Sequence, residues 1–370
     1  LSQVERRSFS NGQFLFGSCP FFCEAVRHLH NMPLISRQLT IEKIPLNKKL
    51  LNNLFRAIVI LLPIAMLYYA FRDKNNLNDI CVAFLQQWES SNGWWLLGAC
   101  LLVPFNWLAE VQKWRPLLTP HESMSQWKAT KAVLAGTSFA LFTPNRVGEY
   151  GGRVLFVRPE NHWKAVIANA VGSVGQYVVL LTAGAVGAIG LAGQILGWSG
   201  YIQLTAFAIA VPLLMLLYYF YFNIRVVVPL ARRIPLLRRL KPYFQGAVFL
   251  EQIEHRQLTG VLVWSALRYA VYSTQYFLLL QFFGIKTGFW AGYAGVATIF
   301  LLQTVLPLPA LTGLLVRGSL AVFVWSHFGA NDISSLAATF VLWIINLILP
   351  ALLGTFSLYS VNITKSLGYD

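Results

Sequence analysis

Six apolar runs dominate this chain, at residues 54–71, 94–112, 165–192, 200–222, 258–283 and 334–358. A helix needs about 20 mostly apolar residues to cross the hydrocarbon core of a bilayer, and each run is close to that length or beyond it. Composition agrees. Of 370 residues, 56% are hydrophobic and 12% charged, where a soluble domain carries about 25% charged residues. Too few charges remain to coat a water-exposed surface. The expected fold class is an all-α integral membrane protein with about six spanning helices. Its 12 Trp and 15 Tyr suit helices that cross the headgroup layer, where such rings keep one end dry and the other wet.

Two further apolar stretches, 128–157 and 289–328, are interrupted. The first breaks at Thr143-Pro144-Asn145-Arg146-Val147-Gly148-Glu149, and the second at Leu306-Pro307-Leu308-Pro309-Ala310-Leu311-Thr312-Gly313. The pieces on either side are too short to span comfortably. Proline removes a helical donor and glycine frees the backbone. Unpaired backbone is tolerated at membrane depth only where it is buried in protein or lines a cavity. Both stretches are therefore expected to be broken or re-entrant hairpins.

The formal net charge is +15, and the basic residues sit between the apolar runs. Topology and binding to anionic headgroups explain that placement better than nucleic acid does. Segment 37–49 carries Arg37, Lys43, Lys48 and Lys49; segment 113–131 carries Lys113, Arg115, Lys128 and Lys131; loop 223–257 holds seven Arg or Lys; loops 193–199 and 329–333 hold none. The positive-inside rule makes the first three cytoplasmic and the last two external, with both termini inside the cell membrane. Stretch 225–245 reads either as an amphipathic segment on the inner leaflet or as a plain basic loop. In this orientation the two hairpins enter from opposite sides, and the chain divides into two inverted halves, about 51–193 and 198–360. Pro144 and Gly148 match Pro309 and Gly313 in spacing. Inverted repeats with discontinuous helices at matching positions point to a transporter-type site near the midplane. Around this single transmembrane domain, 51–360, lie an N-terminal cytoplasmic segment, 1–50, and a tail, 361–370. Residues 1–31 lack the order of a signal peptide, and the expectation is that Met32 is the start, with 1–31 untranslated or disordered.

The first break offers the densest chemistry. Arg146, Glu149 and Arg153, with Asn145 and Gly148, lie between apolar flanks. A charge at the centre of a spanning helix costs about 2.5–3.5 kcal/mol on insertion scales, so it is retained by pairing or by function. Arginine presents a planar fork suited to phosphate. Arg146 and Arg153 then read as donors to an anionic headgroup with Glu149 as counter-ion; the plainer alternative makes both topology anchors in a cytoplasmic turn. The second break contributes Gly313 and Arg317, which faces the cavity, pairs with Glu149 or Glu110, or snorkels outward. Arg268 lies too deep in its run to snorkel, so it is expected to face protein. Glu110 and Lys113 read as an interfacial pair more readily than as a relay, and Asn346 as a hydrogen bond to a neighbouring helix. Cys19 and Cys23 have no downstream partners for zinc, and no His pair has metal-ligand spacing. No metal, cofactor or soluble-enzyme motif is expected.

The run Phe142-Thr143-Pro144-Asn145-Arg146-Val147-Gly148-Glu149, followed by Arg153, resembles the Pro-x-Arg-x-Gly-Glu…Arg signature of the lysylphosphatidylglycerol synthase transmembrane family, also called the flippase-like domain family. The resemblance covers roughly residues 50–360. Family members continue the second break as Gly-x-x-x-Arg-Glu; Gly313-Leu314-Leu315-Val316-Arg317-Gly318 keeps the Gly and Arg but has Gly318 in place of Glu. The resemblance implies a flippase that moves an aminoacylated or otherwise anionic lipid between leaflets. Full synthases add a soluble transferase domain, whereas this chain resembles the stand-alone members.

Three functions follow as expectations. The leading one is a non-enzymatic lipid flippase, with a membrane phospholipid or lipid-linked substrate as partner. The second is a membrane-embedded transferase acting on a lipid carrier, for which only Glu149 and Glu110 qualify as bases at depth. The third is a non-catalytic scaffold for an envelope-synthesis enzyme. No nucleic-acid partner is expected, and homo-oligomerisation stays open.

Overall fold

The computed structural model describes residues 74–90, 92–141, 143, 146–224, 226, 247–304 and 310–358. The expected span at 54–71, segments 1–50 and 361–370, most of stretch 225–245, and Cys19, Cys23, Pro144, Asn145, Pro307 and Pro309 lie outside the described residues. Within them every regular element is helical.

Helix α1 (Lys74–Glu89) is followed by α2 (Gly93–Leu101) and α3 (Val103–Leu118). Sequence reading made 94–112 one run. The structure divides it at Leu102, because Pro104 in the first turn of α3 has no N–H to continue the ladder. Then come α4 (Gln126–Ala140), the short α5 (Gly148–Val154), a 3₁₀ turn at Pro159–Asn161, and the 35-residue α6 (His162–Leu196). Helix α6 stops at Gly197, whose φ of 67° suits a left-handed C-terminal cap. Ser199 caps α7 (Gly200–Phe222) by accepting the Ile202 N–H. After the short α8 (Ala247–Glu251), Glu254 and Gln257 form a capping box at the start of α9 (His255–Phe282). The last elements are α10 (Phe289–Thr304), α11 (Ala310–Ser326), α12 (Asp332–Trp343), a π turn at Ile344–Ile348 and α13 (Leu349–Leu358).

Among the described residues, four helical stretches are long and apolar enough to cross a membrane: Gly93–Leu118, Pro159–Leu196, Gly200–Phe222 and Asp332–Leu358. Helix α9 was also expected to span. It has the length, 28 residues, but Gln257, Ser265, Arg268, Ser273 and Gln275 make it more polar. Its position explains this. Helix α9 packs against α2, α3, α6, α10 and α12, so those side chains meet protein rather than lipid. Helix α7 is the opposite case: only Tyr221 on it is buried, and the remainder suits a lipid-facing surface. Trp94, Tyr201 and Trp290 stand exposed by 80% or more at the first turns of α2, α7 and α10, where an aromatic belt is expected.

Both interrupted stretches fold as hairpins. At the base of the first, Glu122 receives the Lys128 ammonium at 3.2 Å from the start of α4 and the Arg158 N–H at 3.0 Å from beyond α5, so chain entry and exit lie side by side. Asn161 and Lys164 reach the adjacent His121. Partial burial and the Lys164 ammonium lower that imidazole's pKa. Helices α4 and α5 touch along their backbones: a Cβ on Gly152 would lie 2.6 Å from the Gly136 Cα, so only glycine fits. The second hairpin, α10 and α11, closes at its base where Gly295 meets the Trp325 ring. The bases lie at opposite ends of α9. Gln257 near its start bonds the Pro116 carbonyl beside the first base, and Phe277 near its end stacks on Tyr293 of α10.

Candidate functional site

The site begins with a charge on α3. Glu110 is 3% exposed. Its Oε2 lies 2.7 Å from Lys113 Nζ and 2.7 Å from Arg268 Nη1, while its Oε1 accepts from Arg153 Nη2 at 2.6 Å. The same Arg153 nitrogen donates to Glu149 Oε1, and Glu149 Oε2 stands 3.2 Å from Arg146 Nε. Two carboxylates thus hold four cations in one continuous chain drawn from α3, α5, α9 and the first break. Buried charges persist only where shared partners replace lost water, and sharing each carboxylate supplies them. The rings of Trp114 and Trp107 lie 5.4 Å and 6.0 Å from the Arg153 and Arg268 guanidinium carbons, adding cation–π attraction.

Beside this cluster opens a cavity of about 260 Å³. Arg146, Arg268 and Arg317 line it together with Asn106, Gln303 and Asn346. Arg268 Nε donates to Asn106 Oδ1 at 3.0 Å, and Asn106 Nδ2 to Asn346 Oδ1 at 2.5 Å. Opposite them, Arg317 donates to Gln303 Oε1 at 2.6 Å and to the Tyr272 hydroxyl at 3.0 Å. Among the described residues no carboxylate pairs with Arg317, and none lines the cavity. Thr143 from the first break and Gly313 from beside the second line the same space.

Local backbone decides which arginine faces the cavity. Arg146 has a φ of 59°, a left-handed conformation uncommon outside glycine and costing about 1–3 kcal/mol. The Thr143 hydroxyl stabilises this turn by accepting the Gly148 N–H at 2.7 Å. Arg153, seven residues on, belongs to the regular turns of α5 and lies against α3.

Of the residues singled out in the sequence, Arg146, Arg268, Gly313 and Arg317 line the cavity. Glu149 and Arg153 do not; they are 8% and 1% exposed and lie in the ion cluster. Gly148 packs against Phe139 and Thr143 at the start of α5, and Asn145 is outside the described residues. Arg317 pairs with neither Glu149 nor Glu110. Glu110 and Lys113 do pair, at 2.7 Å, and both are buried, with Glu110 also bridging to Arg153 and Arg268. Asn106, Gln303 and Tyr272 were missed. The available signal was the presence of opposite charges, Glu110 and Arg268, in separate apolar runs. No metal-binding group of three His, Cys, Asp or Glu occurs among the described residues.

No curated protein matches the chain. The protein-family model for the lysylphosphatidylglycerol synthase TM region matches residues 56–354, so the chain belongs to that family, a membrane family of lipid-related function.

Proposed function

We propose that the protein is a flippase that takes the anionic headgroup of a membrane lipid into the 260 Å³ cavity and carries it between leaflets unchanged. One observation carries this reading: three arginines from separate elements converge on a cavity with no carboxylate in its described lining. Guanidinium forks bind phosphate oxygens in pairs, and the three together give the space a positive potential that attracts an anion. The cavity suits a small polar headgroup, with acyl chains left in the surrounding lipid. Hairpins based at opposite ends of α9 fit two inverted halves, about 51–193 and 198–360, rocking about a central site. The positive-inside rule places the basic loops 113–131 and 223–257, and both termini, on the cytoplasmic side of the cell membrane.

The geometry favours transport over group transfer. Glu110 and Glu149 are each engaged by two or more cations, which disfavours either as a general base. The test is translocation of fluorescent phosphatidylglycerol in proteoliposomes, comparing wild type with Arg146→Lys and Arg317→Lys at matched incorporation. Lysine keeps the charge and loses the fork, so both variants should be slower. Wild-type rates equal to empty vesicles, or variants indistinguishable from wild type, overturn the proposal.

A further inference from the structure

A second cavity, about 580 Å³, lies between the end of α3, α8 and the start of α9. Lys113, His121, Glu254, Arg256, Gln257 and Trp264 are among the residues that line it. It shares no lining residue with the first cavity, yet the two are linked through a single carboxylate. Glu110 Oε2 is 2.7 Å from Lys113 Nζ, whose residue lines the second cavity, and 2.7 Å from Arg268 Nη1, whose residue lines the first. Along α9, Trp264 and Arg268 are one turn apart on the same face and belong to the second and first cavity respectively. Lys113 Nζ also stands 3.5 Å from Oε1 of Gln176, a wall residue of the first cavity.

We infer that Lys113 is the relay cation between the two cavities and Glu110 a resident anion that an arriving headgroup phosphate displaces. The inference rests on the transport reading above and names the step by which the headgroup leaves the first cavity. A phosphate bound at Arg268 takes the place of Glu110 Oε2 there. Glu110 is not stranded, because its other oxygen stays on Arg153 at 2.6 Å. The phosphate then moves to Lys113, Glu110 returns to Arg268, and the exposed Arg256 is the next cation in the second cavity. Each step exchanges one anion for another on the same cation, so no buried charge is left uncompensated. Lysine suits the role: its ammonium is a compact point charge on a flexible stem, without the fixed fork of arginine. Gly172 on α6 leaves room for that stem, since a Cβ there would come within 3.3 Å of Lys113 Cε.

The experiment separates binding from passage. Short-chain phosphatidylglycerol is titrated into detergent-solubilised protein, and fluorescent phosphatidylglycerol translocation is measured in proteoliposomes. Wild type is compared with Lys113→Gln, Arg317→Gln and the exposed Arg256→Gln, each checked for folding by size exclusion. The relay requires Lys113→Gln to bind within about twofold of wild type, because the three cavity arginines remain, and to translocate at least about tenfold more slowly, the loss of one charge-assisted contact. Arg256→Gln should show the same split at smaller size, and it stands in if Lys113→Gln does not fold. Arg317→Gln should lose binding. If Lys113→Gln translocates like wild type, or loses binding and translocation together while folded, the relay is wrong and the flippase reading survives. If the exposed variant is the one measured and both its activities equal wild type, the relay is equally overturned. If wild type neither binds nor moves the lipid, the flippase reading fails first and the relay falls with it.

Discussion

The two breaks contribute one arginine each to the same cavity but secure it by different means. Around the first, charge is matched within a closed network: Arg146 meets Glu149, and Glu149 shares Arg153 with Glu110. Around the second, Arg317 is held among the described residues by neutral oxygens, from Gln303 and Tyr272. The contrast matters because a guanidinium already neutralised by carboxylate competes for it against any ligand, while one held by dipoles keeps its full charge for the ligand. Gly318, where the family pattern has Glu, fits this picture: the second break carries no acidic side chain one residue beyond Arg317. On the proposed reading, the first region holds its shape and the second attracts the anion.

The largest expected effect tests the structural side. Arg153→Ala leaves Glu110 and Glu149 facing each other with a partner gone, and breaking a buried pair costs about 3–5 kcal/mol. Thermal unfolding in detergent should fall sharply or folded protein be lost; near-wild-type stability would remove the distinction between the regions. Next, Arg317→Gln strands no carboxylate. Stability should change little, while affinity for short-chain phosphatidylglycerol drops about tenfold to a hundredfold, the loss of a charge-assisted hydrogen bond of about 1.5–3 kcal/mol. A large stability loss with intact binding would reverse the assignment. Arg146→Gly sharpens the boundary case. Glycine relieves the left-handed backbone by roughly 1 kcal/mol, and the lost pair with Glu149 is half-exposed and worth little. The melting temperature should hold or rise while lipid affinity falls. The smallest effect is at the seam: a double-mutant cycle on Asn106→Ala and Asn346→Ala should show coupling of about 0.6 kcal/mol, the average for such bonds between membrane helices.

The architecture was legible where physics acts locally. Proline and glycine inside apolar stretches marked both hairpins, because a broken ladder is a property of a few adjacent residues. Arg268 was legible as a protein-facing charge from depth alone. The roles of Arg146 and Arg153 were not separable in sequence, since both flank Glu149 within one motif; the positive φ at Arg146 and the regular helix at Arg153 send them to different places. Glu110 was harder still. Its sequence neighbour Lys113 offered a sufficient surface-pair explanation, while two of its three partners, Arg153 and Arg268, come from other helices. Four of the six expected spans reappear as long apolar helices. Helix α9 reads as marginal by hydropathy because its surroundings are protein, and hydropathy assumes lipid.

The π turn before α13 has a consequence for how this end of the chain is phased. Pro350 lacks an N–H and crowds the Asn346 carbonyl one turn earlier, and the Leu349 N–H reaches back to Ile344 instead of one residue less. The wider turn accommodates one extra residue, and a residue subtends about 100° of an ordinary helix. It therefore works as a fixed rotary offset between two contacts that a uniform screw would not align. Within it, Asn346 meets Asn106 at the cavity wall; below it, Gly354 lies flush on the Leu134 backbone while the Ala351 carbonyl accepts the Ser138 hydroxyl at 2.6 Å. One turn of altered pitch lets a single continuous helix serve the cavity and clasp the first hairpin at once.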